Sequence, residues 1–366
     1  MQTLMFVGSA NRFLPYVKQS RGSGISVYRV DLDSGRADLL DAVADIDNPT
    51  FIDVAPDGAS LAAVSENAGQ IEGRLTNLAI DRQSGKLRAL GSQPTGGWTP
   101  AHLSHDRSGQ FAGVANYGDV AAMAPAGLSV AIFRKAADGV LGERSGGATH
   151  QGHGPDAARQ DRPHAHCVRW TPDNRTVLVV DLGIDRVVSY RFDAASGAIA
   201  PSGEVALRAG SGPRHLAFHP GLPVAYVIGE LTNSVATLAM TEDGLALLDD
   251  ISTLPAGWRE TSYAAAIKVA PNGRQLFAAN RGHDSIARFD IAGDGRLSFA
   301  GTVPSGGQTP RDFAFDATGR VLAVANQASD AVNLFRYDGD SGALTPLGEP
   351  IRTGTPTGIA FDPLPI

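Results

Sequence analysis

The strongest constraint on the fold of this chain is an internal repeat with four parts. A turn ending in Pro precedes an alternating strand, and a PDG-like turn follows it. A second apolar strand ends in Asn, Asp or Glu, and a third leads into a D-x-x-S-G-x-L hairpin. Complete copies begin at Asn48, Thr99, Arg162, Gly212, Thr261 and Thr309. Repeats of this length and strand content are typical of the blades of a β-propeller.

A seventh copy is divided between the two ends of the sequence. TPTGIAFDP, from Thr355, matches a first strand, while MQTLMFVGSAN and SGISVYRVDLDSGRADLL match the remaining strands. The sequence therefore predicts an all-β, seven-bladed β-propeller, a single domain over residues 1–366, closed by N-terminal strands that complete the C-terminal blade. A β-sandwich is the structural rival, but it predicts neither a fixed period nor a split terminal repeat.

The leading prolines set the period and locate two insertions. They recur at intervals of about 46 to 51 residues, at Pro49, Pro100, Pro163, Pro213, Pro310 and Pro356. Ser262 or Tyr263 is expected in the proline's place in the fifth copy. The longer interval from Pro100 to Pro163 holds extra residues after Tyr117 and after Arg144. In an antiparallel blade, first strands begin where second strands end, so residues at these points should meet at one mouth of the channel.

Composition excludes several classes of function. A net charge of −7 argues against a general nucleic-acid surface, which needs clustered Lys and Arg. No apolar run reaches membrane-spanning length, and the N-terminus has no signal-peptide pattern, so we expect a cytoplasmic protein without membrane contact. The one cysteine, Cys167, rules out an internal disulfide; it should be a buried thiol that points opposite His166.

Polar residues interrupt the repeat at the predicted mouth. They are His164 and His166 in PHAHCV, Arg214 and His215 in GPRHL, Glu230 in YVIGEL, Arg281 in AANRG and Arg311 in TPRDF. Arg311 occupies the same position of the repeat as Arg214. A His or carboxylate can deprotonate water. Arginines can hold a carboxylate or phosphate and stabilise an oxyanion. The set suits hydrolysis of an anionic ester or lactone.

The segments PHAHCVRWTPDNRTVLVVDLG, GSGPRHLAFHPGLPVAYVIGEL, PNGRQLFAANRGHDS and QTPRDFAFD resemble the lactonase-type seven-bladed propellers, a family that includes 6-phosphogluconolactonases and fungal carboxymuconate cyclases. The resemblance covers essentially the whole chain and implies a site at His166, Arg214, Glu230 and Arg281. Where many members carry A-A-D-I-H, SYAAAIKV places Ala266 and Lys268 at the Asp and His positions.

We therefore expect a hydrolase that needs no cofactor or metal and opens an anionic small-molecule lactone, first of all 6-phosphogluconolactone. His166, Glu230 and Arg281 are the expected catalytic residues. Glu230 or His166 would activate water, while Arg214 and Arg281 would hold the anionic group and the carbonyl oxygen. The further expected substrate-binding residues are His164, His215 and Arg311. The alternatives are a cyclase or lactonase acting on carboxymuconate-like diacids and a non-catalytic propeller that binds a ligand or protein.

Structural roles remain open for several of these residues. Glu230 could be only a salt-bridge partner of the arginines. Asn67, Asn116, Asn280 and Asn326, at the ends of second strands, should bond the backbone in turns. The histidines of HQGHGP, His150 and His153, together with PHAH and His215, leave a metal site as a chemical alternative. Convergence of His166, Arg214, Glu230 and Arg281 in one polar pocket would favour the enzyme.

Overall fold

Seven four-stranded antiparallel sheets form a ring in the computed structural model, which describes residues 1–67, 71–118, 127–136 and 139–364. The predicted seven-bladed propeller is confirmed. Within those residues the only helix is a short 3₁₀ turn at Gln327–Ser329. None of their helices is long and apolar enough to cross a bilayer.

The first three strands of the chain complete the split blade, and the next eight form blades one and two. These strands are β1 (Gln2–Ser9), β2 (Ile25–Asp31), β3 (Ala37–Val43), β4 (Pro49–Val54), β5 (Ser60–Ser65), β6 (Glu72–Ile80), β7 (Leu87–Trp98), β8 (Pro100–His105), β9 (Phe111–Asn116), β10 (Val130–Lys135) and β11 (Leu141–Ala148).

Blades three to six follow in chain order, each built of four consecutive strands, and the last strand returns to the split blade. These strands are β12 (Ala165–Trp170), β13 (Thr176–Asp181), β14 (Arg186–Phe192), β15 (Ile199–Ala206), β16 (Pro213–Phe218), β17 (Val224–Gly229), β18 (Ser234–Thr241), β19 (Gly244–Ser252), β20 (Tyr263–Val269), β21 (Gln275–Arg281), β22 (Ser285–Ile291), β23 (Leu297–Pro304), β24 (Pro310–Phe315), β25 (Val321–Asn326), β26 (Ala331–Tyr337), β27 (Leu344–Arg352) and β28 (Pro356–Phe361).

The ends of the chain close the ring. β28 pairs antiparallel with β1, with Phe6 opposite Ala360, and the sheet order is β28-β1-β2-β3. Arg82 of blade one reinforces the closure: its Nε lies 2.6 Å from the buried Asp362 Oδ2. The expected division of one blade between the termini is confirmed.

The core is a ring of interfaces between neighbouring blades. The described residues form seven large apolar clusters, and each cluster joins two adjacent blades. Phe6 and Ile52, for example, pack the split blade against blade one. Cys167 is fully buried in the cluster between blades three and four, as the alternation along β12 predicts. Burial raises the pKa of its thiol to about 11, so it is a structural thiol.

Each innermost strand carries a bulge near its start, at its second residue in six blades and between Ala264 and Ile267 in β20. In β16, Pro213 lies opposite Gly229 and His215 lies opposite Ile228. No residue of β17 therefore lies opposite Arg214 in the backbone pairing. The same irregularity leaves His166 in β12 and Arg311 in β24 without a residue opposite them in the neighbouring strand. A bulge bends the strand and turns the extra side chain away from the regular alternation. These three residues therefore reach the mouth from the same place in three blades.

This register corrects two placements of the leading proline. In blade three, Ala165 lies opposite Asp181 at the first position of the strand, and Pro163 precedes β12. In blade five, Ala264 lies opposite Asn280 in that position, so neither Ser262 nor Tyr263 replaces the proline. Turn motifs alone do not fix strand register, because only the backbone pairing determines which residue lies opposite which.

Aspartates at the same mouth join neighbouring blades at three junctions. Asp185 Oδ1 accepts a hydrogen bond from the backbone N–H of Gly212 at 2.8 Å. Asp284 and Asp330 bind the N–H of Thr309 and Thr355, each also at 2.8 Å. Each bonded N–H belongs to the residue before a leading proline. Side-chain acceptors thus fix the inter-blade turns that carry the mouth residues.

Candidate active site

The mouth brings together two positions of the repeat. One is the bulge residue of the innermost strand, and the other is the residue at or just after the end of the second strand. Arg214 represents the first position; Glu230, which follows β17, and Arg281, which ends β21, represent the second. Closure of the ring turns these positions toward one another, as expected.

Glu230 is the centre of an ion-pair cluster. Its Oε2 lies 2.8 Å from Arg281 Nη2 and 3.1 Å from Arg214 Nε, and its Oε1 lies 2.5 Å from Arg159 Nη2. The Glu230 side chain is only 5% exposed. Arg281 is held in turn by the carbonyl oxygens of Tyr263 and Ala264, to which its guanidinium donates. The cluster is thus fixed by the backbone of blade five.

The arginines keep Glu230 ionised. Burial alone would raise the pKa of this carboxyl, but Arg281, Arg214 and Arg159 together hold it well below its usual range. Burial lowers the pKa of Arg214 to about 9, with Arg281 and Arg311 contributing. Arg214 is therefore still a cation near neutral pH. Its Nε–H has no hydrogen-bond partner of good geometry, although it lies close to Glu230.

His166 lies beside this cluster in the interior of the channel. Its ring contacts His215 at a centroid distance of 5.4 Å and Tyr117 at 5.6 Å, both edge to face. Its Nδ1 is buried and has no hydrogen-bond partner. Burial, followed by the charge of Arg214, lowers the pKa of His166 well below its usual value. The imidazole is consequently neutral at pH 7.

His215 and His102 continue the row of imidazoles below His166. Their centroids are 5.1 Å apart, and Arg214 Nη1 donates to His215 Nε2 at 3.1 Å. Burial lowers the pKa of both histidines well below the usual value. His215 thus supports Arg214 from inside the channel. His102 occupies the same strand position as His215, just after the bulge, and lies 3.5 Å from the Cys167 sulfur.

His164 has a different environment from the other predicted site residues. Its ring stacks on Tyr117 at 4.3 Å, its Nδ1 contacts the Tyr117 carbonyl oxygen at 2.8 Å, and its Nε2 lies 3.2 Å from Asp161. Both ring nitrogens are therefore engaged at the interface of blades two and three. His164 can orient Tyr117, which in turn contacts His166.

A second carboxylate, Glu66, occupies the repeat position of Glu230. Tyr16 donates its hydroxyl proton to Glu66 Oε1 at 2.5 Å, and Thr50 donates to Oε2 at 2.6 Å. The guanidinium of Arg311 lies 4.7 Å above the Tyr16 ring. Burial would lower the pKa of Arg311, but Tyr16, Glu66 and Glu230 raise it. Arg311 thus faces the Glu66 side of the mouth.

In the ion-pair cluster around Glu230 and Glu66, as far as the structure describes it, guanidinium groups outnumber carboxylates. Its guanidinium groups are those of Arg159, Arg214, Arg281 and Arg311, and its carboxylates are those of Glu66, Glu230 and the deeper Asp312. Such a surplus favours an anionic ligand.

The histidines of the long loop do not join this cluster. His150 Nδ1 lies 2.6 Å from the buried Asp181, and His153 is exposed. Among residues 1–67, 71–118, 127–136 and 139–364, no group of three or more His, Cys, Asp or Glu side chains could hold a metal ion. The asparagines predicted to bond turns do so at Asn116, Asn280 and Asn326. Most of the insertion after Tyr117 lies outside the described residues.

Two segments outside the repeat contribute residues that the repeat pattern does not predict. Arg159 comes from the long loop before β12, where buried Gln160 donates to Asp185 at 2.8 Å and fixes the loop. Tyr16 comes from the segment between β1 and β2, which Asn48 anchors by accepting the N–H of Asn11 and Arg12. Neither has a position in the repeat. Glu66, by contrast, has a position in the repeat, the same one as Glu230. Aligning the two copies could therefore have identified Glu66 as a residue of the mouth.

Fold and mouth together define the class of protein: a seven-bladed propeller with a cationic, histidine-bearing opening to its channel. Residues 5–361 match the family described as "Lactonase, 7-bladed beta-propeller". The chain belongs to this family, as its sequence resemblance predicted. It is accordingly a lactonase, an enzyme of the carboxylic ester hydrolase class.

Individual relatives agree over nearly their whole length. A 6-phosphogluconolactonase of Bacillus subtilis is 33% identical over 356 residues, covering 96% of this chain and 98% of its own. One from Formosa agariphila is 33% identical over 350 residues, covering 94% and 95%. The structure of a periplasmic gluconolactonase of Pseudomonas aeruginosa matches with a TM-score of 0.88 and 30% identity, covering 99% of both chains. The cytoplasmic location of this protein stays a prediction.

Proposed function

We propose that this lactonase opens an anionic sugar lactone, with 6-phosphogluconolactone the first candidate, through attack of a water molecule activated by His166. The observation that carries the proposal is the convergence of Arg214 and Arg281 on Glu230 beside His166, inside one buried mouth. The relatives named 6-phosphogluconolactonase support this choice of substrate.

His166 is the better of the two candidate bases. Because its pKa is lowered, the ring is neutral at pH 7 and keeps a nitrogen lone pair. Its Nδ1 is the buried ring nitrogen without a partner. Glu230 also carries lone pairs, but both its oxygens already contact guanidinium groups. We therefore assign Glu230 the role of holding Arg214 and Arg281 in position.

The reaction balances with one water molecule. The water oxygen bonds to the lactone carbonyl carbon while His166 takes a proton from it. The Arg214 Nε–H, which has no well-aligned partner, donates to the carbonyl oxygen as it gains negative charge. When the tetrahedral species collapses, the bond from carbon to ring oxygen breaks, and His166 returns the proton to that oxygen. The product is an open-chain hydroxy acid, which loses its acid proton to solvent.

The remaining arginines suit the substrate's anionic group. Arg159 is 34% exposed at the side of the mouth, and Arg281 lies between it and the interior. A phosphate can accept hydrogen bonds from two guanidinium groups at once. We assign phosphate recognition to Arg159 and Arg281, and an accessory electrostatic role to Arg311.

The test is a hydrolysis assay in the presence of EDTA, with spontaneous lactone opening subtracted. Acid release should be faster with 6-phosphogluconolactone than with unphosphorylated gluconolactone, and a carboxymuconate-type lactone should be slowest. No acceleration of any of these lactones would overturn the proposal. Preference for the carboxymuconate substrate would support the alternative assignment to diacids.

Variants connect the activity to the site. His166→Ala should lower kcat by at least about a hundredfold, which is the usual contribution of a general base. The matched control is His153→Ala, because His153 is exposed on the neighbouring loop and does not contact the cluster. Equal loss in both variants, or none in His166→Ala, would remove His166 from the mechanism.

A further inference from the structure

The opposite mouth of the channel carries a second cluster of charged residues. It lies at the fifth residue of six innermost strands and at the equivalent sixth residue of β20. Around the ring this position holds Asp53, Ser104, Arg169, Ala217, Lys268, Ala314 and Ala360. Small residues occupy four of the seven blades. Arg169 and Lys268 therefore break the repeat, and the blade between them carries alanine.

In the part of the chain that the structure describes, neither of these cations has a charged partner. Among the described residues, no ion pair or side-chain hydrogen bond involves Arg169 or Lys268, although both are partly buried. The one carboxylate at this position, Asp53, accepts from the backbone N–H of His105 at 2.8 Å and contacts its Nδ1 at 2.9 Å. At the active-site mouth, by contrast, Glu230 contacts three arginines.

The positive field of this pair extends into the channel. After burial, Arg169 and Lys268 are the next largest causes of the lowered pKa of His102. Partly desolvated cations without counter-charges are costly to keep in a folded protein. A bound anion would supply the missing charge.

Two neighbouring cavities, which share lining residues, give an anion room to bind. The larger, of about 440 Å³, is lined by Asp53, His105, Arg169 and Trp170, among others. The smaller, of about 160 Å³, shares Asp53 and Arg169 and adds Lys268. The Trp170 indole N–H is buried without a hydrogen-bond partner. Volumes of this size accommodate a small metabolite.

We infer that the far mouth is a second ligand site, which binds a small phosphate- or carboxylate-bearing anion between Arg169 and Lys268. It is independent of the lactone site, because the two clusters lie at opposite ends of the innermost strands and share no residue. The far-mouth cations would contact the anion directly, while Ala217 leaves space between them.

Isothermal titration calorimetry with inorganic phosphate, and separately with citrate, tests this inference on the full chain in a buffer free of both. Arg169→Ala and Lys268→Ala should each weaken binding of the preferred anion by at least about tenfold, and the double variant should abolish it. Alanine occurs naturally at this position in three blades, so both variants should fold. Arg175→Ala, an exposed cation on the same face, is the matched control and should bind as the wild type does.

The outcomes separate the two mouths. Arg214→Ala should leave far-mouth binding intact, and lactone hydrolysis in anion-free buffer should be unchanged in the Arg169 and Lys268 variants. Absence of binding of both anions to the wild type would overturn the inference. So would binding that survives the double variant but disappears in Arg214→Ala, because the anion would then occupy the lactone site. Response to phosphate alone or to citrate alone identifies the ligand chemistry.

Discussion

Glu230 Oε2 and Arg281 Nη2 lie 2.8 Å apart, although both residues occupy the same place in consecutive blades. Because the two residues carry opposite charges at the same repeat position, they form an ion pair across the boundary between blades four and five. Arg214 and Arg159 also form ion pairs with Glu230. The ion pair is therefore both a link between blades and the centre of the proposed site.

Glu230→Gln should lower both activity and stability. It leaves Arg214 and Arg281 close together without the carboxylate that holds them, so kcat/KM should fall by about a hundredfold or more. The free energy of unfolding should fall by about 3 kcal/mol, as for other broken buried pairs. Steady-state kinetics and urea unfolding measure the two effects. Glu242→Gln, on an exposed turn, is the control; an equal effect there would contradict the assignment.

Arg159→Ala should separate substrate binding from stability. Its guanidinium is about one-third exposed, so the loss of its ion pair should cost less than about 1 kcal/mol of folding free energy. KM for the phosphorylated lactone should rise about tenfold while KM for gluconolactone changes little, because only the former offers a phosphate. A parallel change with both lactones would instead assign Arg159 to cluster geometry.

The buried histidines predict loss of stability in mild acid. His102, His166 and His215 have lowered pKa values in the folded protein, whereas in the unfolded chain they bind protons near pH 6.5. The unfolded state therefore takes up more protons as pH falls below about 6.5, and stability declines by up to about 1.4 kcal/mol per pH unit for each histidine. The carboxyl of Glu230, with its lowered pKa, does not contribute in this range.

Urea unfolding at pH 7.5, 6.5 and 5.5 measures this dependence. His102→Gln should flatten the slope between pH 6.5 and 5.5, whereas the exposed-site variant His153→Gln should leave it unchanged. A slope that is identical in all three proteins would show that buried histidine neutrality does not control acid stability.

Asp185→Ala should weaken the junction between blades three and four. The Asp185 carboxylate accepts hydrogen bonds from the N–H groups of Gly210 and Gly212 and from the Gln160 side chain, and it is 6% exposed. Its removal leaves buried donors unpaired, so unfolding free energy should fall by about 3 kcal/mol. Because Gln160 fixes the loop that carries Arg159, KM should also rise. Asp243→Ala, on an exposed turn, should do neither.

Phe6→Ala tests the closing strand. Phe6 is fully buried between the split blade and blade one, so truncation should cost about 3–5 kcal/mol. Leu39, in the outermost strand of the same blade, is 59% exposed, and Leu39→Ala should cost well under 1 kcal/mol. Thermal unfolding compares the two. A similar cost for both would contradict the closure of the ring by β1.

The sequence by itself determined the ring. The period, the strand order and the split terminal repeat can all be recognised in the amino-acid sequence. This is possible because each blade is built from consecutive residues and contacts only its neighbours. The same periodicity identified the mouth and assigned Arg214 and Arg311 to the same position of the repeat. The bulge that both strands carry at that residue confirms this shared position.

Only the tertiary structure decided which side chains meet. Tyr16 and Arg159 lie in insertions that have no repeat position, so nothing local indicates that they reach Glu66 and Glu230. His164 and His166 are two residues apart, yet the ring nitrogens of His164 contact the Tyr117 carbonyl oxygen and Asp161, while the His166 ring faces the channel and contacts His215. A bulge that breaks the alternation separates them, and its position depends on pairing with the neighbouring strand.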